Sequence, residues 1–270
     1  MIHNLIRVAI LLDPITPKVS LEDAIKIIKN AGFIHDQKRP DFGIVIGGDG
    51  IFSYYGRVRK IPLLFVGMGK SKSIESKAHL AEAYFNELET ALKRIKDRKY
   101  KIFEHNRLAV FLNGKKLGEV FTDVYLERGL NSNCLRYKLE VKGKDFSFTD
   151  FAISNGVVIT TSAGSTGYFS SLDRIKSGQS LDINSYTLIK EDQVGIYHIL
   201  PTYTIREGTN EHPLRYTVPY GSEIRIKLVR KGDARLYGIT RSQKGIKIRE
   251  EDIVEVKASK NKTKLIKLNR

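Results

Sequence analysis

One carboxylate, Asp49, stands among glycines in Gly47-Gly48-Asp49-Gly50, directly after the apolar run Phe42 to Ile46. The run reads as a short buried strand, and the glycines break it where a sheet would present its carboxyl edge. Glycines admit positive φ and keep Cβ atoms away, so a phosphate can approach the main chain. A carboxylate held in such a turn repels the phosphate unless it has another task, such as taking a proton from a hydroxyl or holding a cation. The same tetrapeptide also fits a tight strand-to-helix turn with Asp49 as the N-cap. Both readings stay open on these residues alone.

A second polar stretch runs from Asn155 to Ser171, NGVVITTSAGSTGYFSS. Val157 to Ile159 reads as a strand, Thr160, Thr161 and Ser162 supply hydroxyls, and Gly164 to Gly167 reads as a turn into a helix whose N–H groups point outward. Small polar groups beside a helix start suit a nucleotide or phosphate, and they equally suit a plain turn. Tyr168 is available there to stack or to pack. Lys70 and Lys72 follow a second glycine-rich strand end, Gly67-Met68-Gly69, where they face a phosphate or simply solvent. His105, His198 and His212 are too scattered for a metal site. Glu127 and Arg128 fit either an acceptor rim or a strand ion pair.

The elements that must carry these residues change character along the chain. Leu5 to Leu12 reads as a strand, and Leu21, Ala24, Ile25, Ile27 and Ile28 recur with helical spacing behind a possible Ser20 cap, with Gly32 as the stop. A short helix is expected over 51 to 57, a strand over Pro62 to Val66, and a long amphipathic helix over 76 to 96. Strand, helix and strand in alternation open a layered α/β unit. Later the period shortens: Leu135, Tyr137, Leu139 and Val141 alternate with charged residues, and Asn113-Gly114 marks a hairpin. The expected fold is an α/β N-terminal domain with a parallel sheet, residues 1–98, followed by an all-β domain of layered antiparallel strands, 99–256. The tail, 257–270, is expected to pack back onto the first domain through Leu265, Ile266 and Leu268.

Composition sets the outer bounds. With 46 Lys+Arg against 30 Asp+Glu the formal charge of the 270-residue chain is +16, which favours acidic partners without choosing among them. The basic residues are densest at Lys93 to Lys101 and Lys257 to Arg270, without the interleaved aromatics of a stacking platform, so specific nucleic-acid binding is not expected. Cys134 is the only cysteine, which excludes an internal disulfide and fits a reducing, cytoplasmic setting. No stretch approaches the roughly 18 apolar residues of a membrane span. Abundant lysine and isoleucine point to adaptation to heat.

Taken together, the two polar stretches resemble the signatures of the NAD kinase family. The first signature, glycine-glycine-aspartate-glycine after a buried strand, stands at Gly47 to Gly50. The second, a strand followed by serine-threonine-proline-threonine-glycine-serine-threonine-alanine-tyrosine, runs here from Thr160 to Tyr168. The first is shared with diacylglycerol, sphingosine and phosphofructokinase-like enzymes; only the second points to NAD kinase in particular. The resemblance implies transfer of the terminal phosphoryl group of ATP or polyphosphate to the 2′-hydroxyl of the adenosine ribose of NAD, with Mg²⁺ on the donor phosphates. It implies Asp49 as the base, Gly47, Gly48, Gly50, Lys70 and Thr161 at the phosphates, and Thr122, Asp123, Asn155, Ala163, Thr166, Gly167, Tyr168 and Ser171 at the dinucleotide. A homodimer or homotetramer is implied as well.

Several positions depart from the family pattern. Its asparagine-glutamate pair is Thr122-Asp123 here, and its glycine-aspartate-glycine is Ser154-Asn155-Gly156. The proline and threonine of the second signature are Ser162 and Ala163, the glycine-isoleucine-asparagine is Gly67-Met68-Gly69, and a later aspartate-glycine is Tyr237-Gly238. These losses fall where the acceptor is recognised. They leave open a related kinase acting on a lipid or nucleoside hydroxyl, and a nucleotide-binding protein without catalysis.

Overall fold

The structure is a computed structural model describing residues 6–69, 78–176, 186–240 and 244–269. Two compact units divide the chain, one of Met1–His105 with Lys262–Arg270 and one of Asn106–Asn261. The dividing lines therefore fall at 105/106 and 261/262, where the sequence reading had 98/99 and 256/257. The reason is that two long strands run through both crossings without a break.

In the first unit the chain passes through β1 (Arg7–Leu11), α1 (Leu21–Asn30), β2 (Ile34–His35), β3 (Phe42–Ile46), α2 (Asp49–Val58), β4 (Leu63–Gly67), β5 (Ala83–Tyr84), α3 (Leu88–Lys96) and the start of β6 (Tyr100–Leu112). The strands pair in parallel in the order β2-β1-β3-β4-β5. All five residues of β3 and of β4 are buried, as expected for strands covered on both faces. Ser20 caps α1 by accepting the Asp23 N–H at 3.0 Å, and Glu22 and Asp23 lie in its first turn, as their types predict. The expected helix over 76 to 96 is much shorter. Residues 76 and 77 lie outside the described residues, Ala83–Tyr84 is an edge strand against β4, and α3 starts only at Leu88. Its apolar residues Leu88, Ala91, Leu92 and Ile95 pack with Ile28, Phe42, Ile44 and Val66 in the core of this unit.

The second unit contains β7 (Lys115–Val120), β8 (Asp123–Arg128), β9 (Leu135–Lys142), β10 (Ser147–Ser154), β11 (Gly156–Thr160), α4 (Ser171–Lys176), β12 (Gln193–Ile199), β13 (Tyr203–Arg206), β14 (Arg215–Pro219), β15 (Glu223–Leu228), β16 (Ala234–Tyr237), β17 (Ile246–Ile248) and β18 (Ile253–Leu268). One antiparallel sheet has the order β13-β10-β9-β15 and continues to the start of β18; a second has the order β14-β12-β11-β8-β16-β17. Their apolar faces share one core that includes Tyr137, Leu139, Val124, Leu126, Val157 and Ile159. This is the layered antiparallel architecture that the alternating pattern predicts. The end of β18 belongs to the first unit, where Leu265 pairs with Leu63 of β4 and Ile266 and Leu268 join the core. Among the described residues no helix is long and apolar enough to cross a membrane.

Candidate active site

In the first unit β3 ends at Ile46 and the glycine turn leads straight into α2. The Gly47 N–H donates to Val66 O at 3.0 Å, so the end of β3 is tied to its neighbour β4 and the two glycine-rich strand ends lie side by side. Gly48 is the N-cap of α2 and Asp49 its first residue, which corrects the reading of Asp49 itself as the cap. There the carboxylate faces the positive end of the helix. Its Oδ1 accepts the Leu80 N–H at 3.0 Å and its Oδ2 accepts the His79 N–H at 3.1 Å. Asp49 is half-buried, Gly48 is half-buried and Gly50 is exposed. Two main-chain amides thus fix the orientation of the carboxylate. Lys70 and Lys72 lie outside the described residues.

In the second unit the strand β11 delivers Thr160 and Thr161 to the start of the polar turn. Neither hydroxyl is directed at solvent. Thr161 is 1% exposed, its hydroxyl donates to Phe121 O at 2.6 Å, and its N–H donates to Thr122 O at 2.8 Å. Thr161 therefore fastens the turn to the segment before β8, a structural use of a side chain expected at the phosphates. The expected helix start is also different. Two short 3₁₀ turns, Ser162–Gly164 and Tyr168–Ser170, precede α4, and the Gly167 N–H points back to Gly164 O at 2.9 Å. Gly164 is required by close approach: a Cβ there would come within 2.1 Å of Thr160 Oγ1 and 2.8 Å of Thr122 O.

The turn brings several predicted residues together. Thr122 donates its hydroxyl to Asp123 Oδ1 at 2.9 Å, and a Cβ on Gly167 would lie 3.5 Å from Asp123 Oδ2. Asp123, Tyr125 and Glu127 alternate on one face of β8, and Tyr237 of β16 is in register with Tyr125. Tyr125 stacks on Tyr237 at 5.3 Å and meets the edge of Tyr168 at 5.3 Å. Tyr168 lies beside Glu127 and remains 40% exposed. Burial, with Glu127 beside it, pushes the Tyr168 phenol up to about 12. Burial also pushes the carboxyls of Asp123 and Glu127 up, against the opposing hydrogen bond from Thr122 at Asp123 and the neighbouring Tyr168 at Glu127. Ala163 is buried, Thr166 is half-buried, and the Ser171 hydroxyl is buried without a hydrogen-bond partner among the described residues.

Asn155 does not join this group. Thr160 pairs with Asp123 and Gly156 with Glu127, so Asn155 precedes the opposite end of β11. It sits beside Cys134, whose thiol lies 3.7 Å from Asn155 Oδ1. Sequence position alone could not show this, because the strand length between the two polar ends is fixed only by the register. Tyr125 is not among the residues expected at the site, although the period of two in β8 places it beside Asp123; Tyr237 enters the sequence reading only as a departure from the family's aspartate-glycine. His198 is buried in the core, with Nδ1 2.7 Å from the Tyr137 hydroxyl, and has no part in the turn.

These features define a class: a parallel α/β unit with a glycine turn and carboxylate at its sheet edge, and a strand-rich unit bearing a polar, aromatic turn. No profile of a known protein family matches the chain. An NAD kinase from Acetivibrio thermocellus is 32% identical over 135 residues, 47% of this chain and 44% of that protein. One from Thermoplasma volcanium is 25% identical over 256 residues, 95% of this chain and 84% of that protein. For the first two relatives, the second from Methanopyrus kandleri, the match spans somewhat under half of the relative, 44% and 45%. Among solved structures, yeast NADH kinase complexed with NADH superposes with a TM-score of 0.67 at 16% identity, covering 98% of this chain and 84% of that one. An Archaeoglobus fulgidus NAD kinase in complex with ATP gives 0.65 at 14% identity, covering 97% and 94%. The chain has the fold of these two kinases and is similar in sequence to several NAD kinases.

Proposed function

We propose that this protein is an NAD kinase, moving the terminal phosphoryl group of ATP or polyphosphate to the 2′-hydroxyl of the adenosine ribose of NAD. The observation that carries the reading is the placement of Asp49: a half-buried carboxylate at the first position of α2, beside the glycine turn, oriented by two amides. Phosphoryl transfer needs little covalent chemistry from a protein, and alignment with charge stabilisation supplies most of the rate. In this reading the N–H groups of Gly48 to Gly50 receive the donor phosphates, the Gly47 N–H being held by Val66 O. Asp49 accepts the proton of the attacking hydroxyl as the bond from its oxygen to phosphorus forms and the bond to the leaving phosphate breaks. The second unit supplies acceptor recognition, with the exposed Tyr168 ring for a base and Asp123 for ribose or base hydrogen bonds.

Among the described residues no group of three His, Cys, Asp or Glu side chains could hold a metal ion. In this reading Mg²⁺ would come with the donor phosphates rather than be held by a cluster of side chains, and would supply charge neutralisation there. The free, half-buried Cys134 fits the reducing, cytoplasmic compartment proposed with this activity. A homo-oligomer belongs to the same proposal by resemblance, and a heat-adapted source by composition.

The test is an acceptor screen with ATP or polyphosphate and Mg²⁺, following new 2′-phosphorylated dinucleotide from NAD and from NADH, with lipid and nucleoside acceptors alongside. Formation of 2′-phosphate on a dinucleotide is the expected result. Transfer only to a lipid or nucleoside would move the chain to a related kinase activity, the reading that the departures at Thr122 and Ala163 favour. Binding of ATP and NAD without any transfer would leave a nucleotide-binding protein.

A further inference from the structure

Two arginines hold the Tyr168 turn through its carbonyl groups. Arg174 of α4 donates through one guanidinium nitrogen to Thr166 O at 3.2 Å and Ser170 Oγ at 3.0 Å, and through another to Gly167 O at 3.1 Å. Arg215 of β14 donates to Phe169 O at 2.9 Å and lies 5.0 Å from the centre of the Phe169 ring. Arg215 is itself fixed by a two-pronged contact with Asp173, at 2.7 and 2.8 Å. Asp173, 8% exposed, also accepts the N–H and hydroxyl of Thr187 at 3.0 and 3.1 Å.

A peptide plane with its carbonyl held has its N–H direction set as well. The planes on both sides of Gly167 are held in this way, and the next carbonyl but one is held by Arg215. Between them sits Tyr168, whose ring leans on Tyr125. Forked guanidinium donors fix geometry better than a point charge, since each holds several acceptors in one plane. We propose that Arg174 and Arg215, with Asp173 behind Arg215, are positioning residues for acceptor binding: they set Thr166 and Tyr168 for the dinucleotide and take no part in the transfer. The proposal rests on the NAD kinase reading for its substrate.

Arg174→Ala is the first variant to measure, because it leaves the buried Arg215–Asp173 pair intact. The KM for NAD should rise about tenfold, the loss expected for one or two charge-assisted hydrogen bonds, with kcat within about twofold of the parent. Ethylguanidinium at millimolar concentration should recover most of the KM, and amide hydrogen exchange in peptides covering 166 to 170 should quicken while the melting temperature barely moves. Asp173→Asn, which keeps the shape but loosens Arg215, should shift KM in the same direction by about threefold. An unchanged KM in both variants would overturn the proposal, as would a loss of kcat that follows the melting temperature and resists guanidinium. A parent chain that binds NAD without phosphorylating it fails the kinase reading only, and positioning is then read from the dissociation constant. A parent that does not bind NAD overturns both.

Discussion

Asp49 shows how one side chain can serve structure and chemistry together. Both of its oxygens accept amides from a segment 30 and 31 residues further on, so the carboxylate is tethered as well as placed. Asp49→Asn is therefore not a silent replacement. Its NH₂ would confront one of the two N–H donors, leaving a main-chain group without its acceptor. Turnover with ATP, Mg²⁺ and NAD should fall by about a hundredfold or more, in line with the loss of a general base. Stability should fall by about 1 kcal/mol, seen in chemical denaturation, so activities should be compared well below the transition. Retained turnover would exclude the base role. The glycine turn and its carboxylate were legible because residue types at adjacent positions carry the chemistry. The tether was not, since the partners are main-chain amides of His79 and Leu80 and no side-chain type announces them.

At the scale of elements, what could be read depended on whether local pattern or distant pairing decides the structure. Helix α1 with its Ser20 cap, the buried strands β3 and β4 and the alternation of β9 follow from their own residues. The stretch from His79 to Tyr84 has helix-like spacing yet serves as loop and edge strand, because β4 offers a parallel partner and Asp49 claims two of its amides. Asn155 was assigned to the acceptor turn by motif order, whereas the register of β11 places it at the other end. The returning tail was read from three apolar residues, and the structure gives them a specific task. Leu265, Ile266 and Leu268 are buried, and the Thr263 hydroxyl donates to Gly56 O at 2.7 Å. Ile266→Ala should cost about 2 to 5 kcal/mol by cavity formation in the first unit, measured by urea unfolding. Gly238 is a comparable position in the second unit, with φ +93° and only 2.3 Å between a would-be Cβ and Asp123 O. Gly238→Ala should lower the melting temperature and weaken NAD binding together, through displacement of Asp123.

Across the whole molecule four carboxyl groups, Asp150, Asp173, Asp123 and Glu127, fall into two pairs with opposite consequences for stability. Burial alone would push the fully buried Asp150 up, but the facing His198, Arg206 and Tyr216 outweigh it and hold its carboxyl below the usual range. Asp173 is held down in the same way by Arg215 and Thr187. Groups depressed in the folded state contribute stability above their unfolded pKa and lose it as pH falls through the folded value, so these two sites favour unfolding in acid, below about pH 4. Asp123 and Glu127 run the other way, since burial raises both and their ionisation costs stability as pH rises from about 4 through the folded values. In these four, the carboxyls that hold the fold and the carboxyls beside the Tyr168 turn are shifted in opposite directions. Asp123→Asn with Glu127→Gln should raise the melting temperature at pH 7 while weakening acceptor binding, the exchange of function for stability expected where a site keeps desolvated charges. The gain should shrink towards zero near pH 3, where both carboxyls of the parent are protonated in the folded and unfolded chains alike. Melting curves from pH 3 to 8 decide the matter: a double variant less stable than the parent at neutral pH would show that these carboxylates are held by compensating contacts and belong with Asp150.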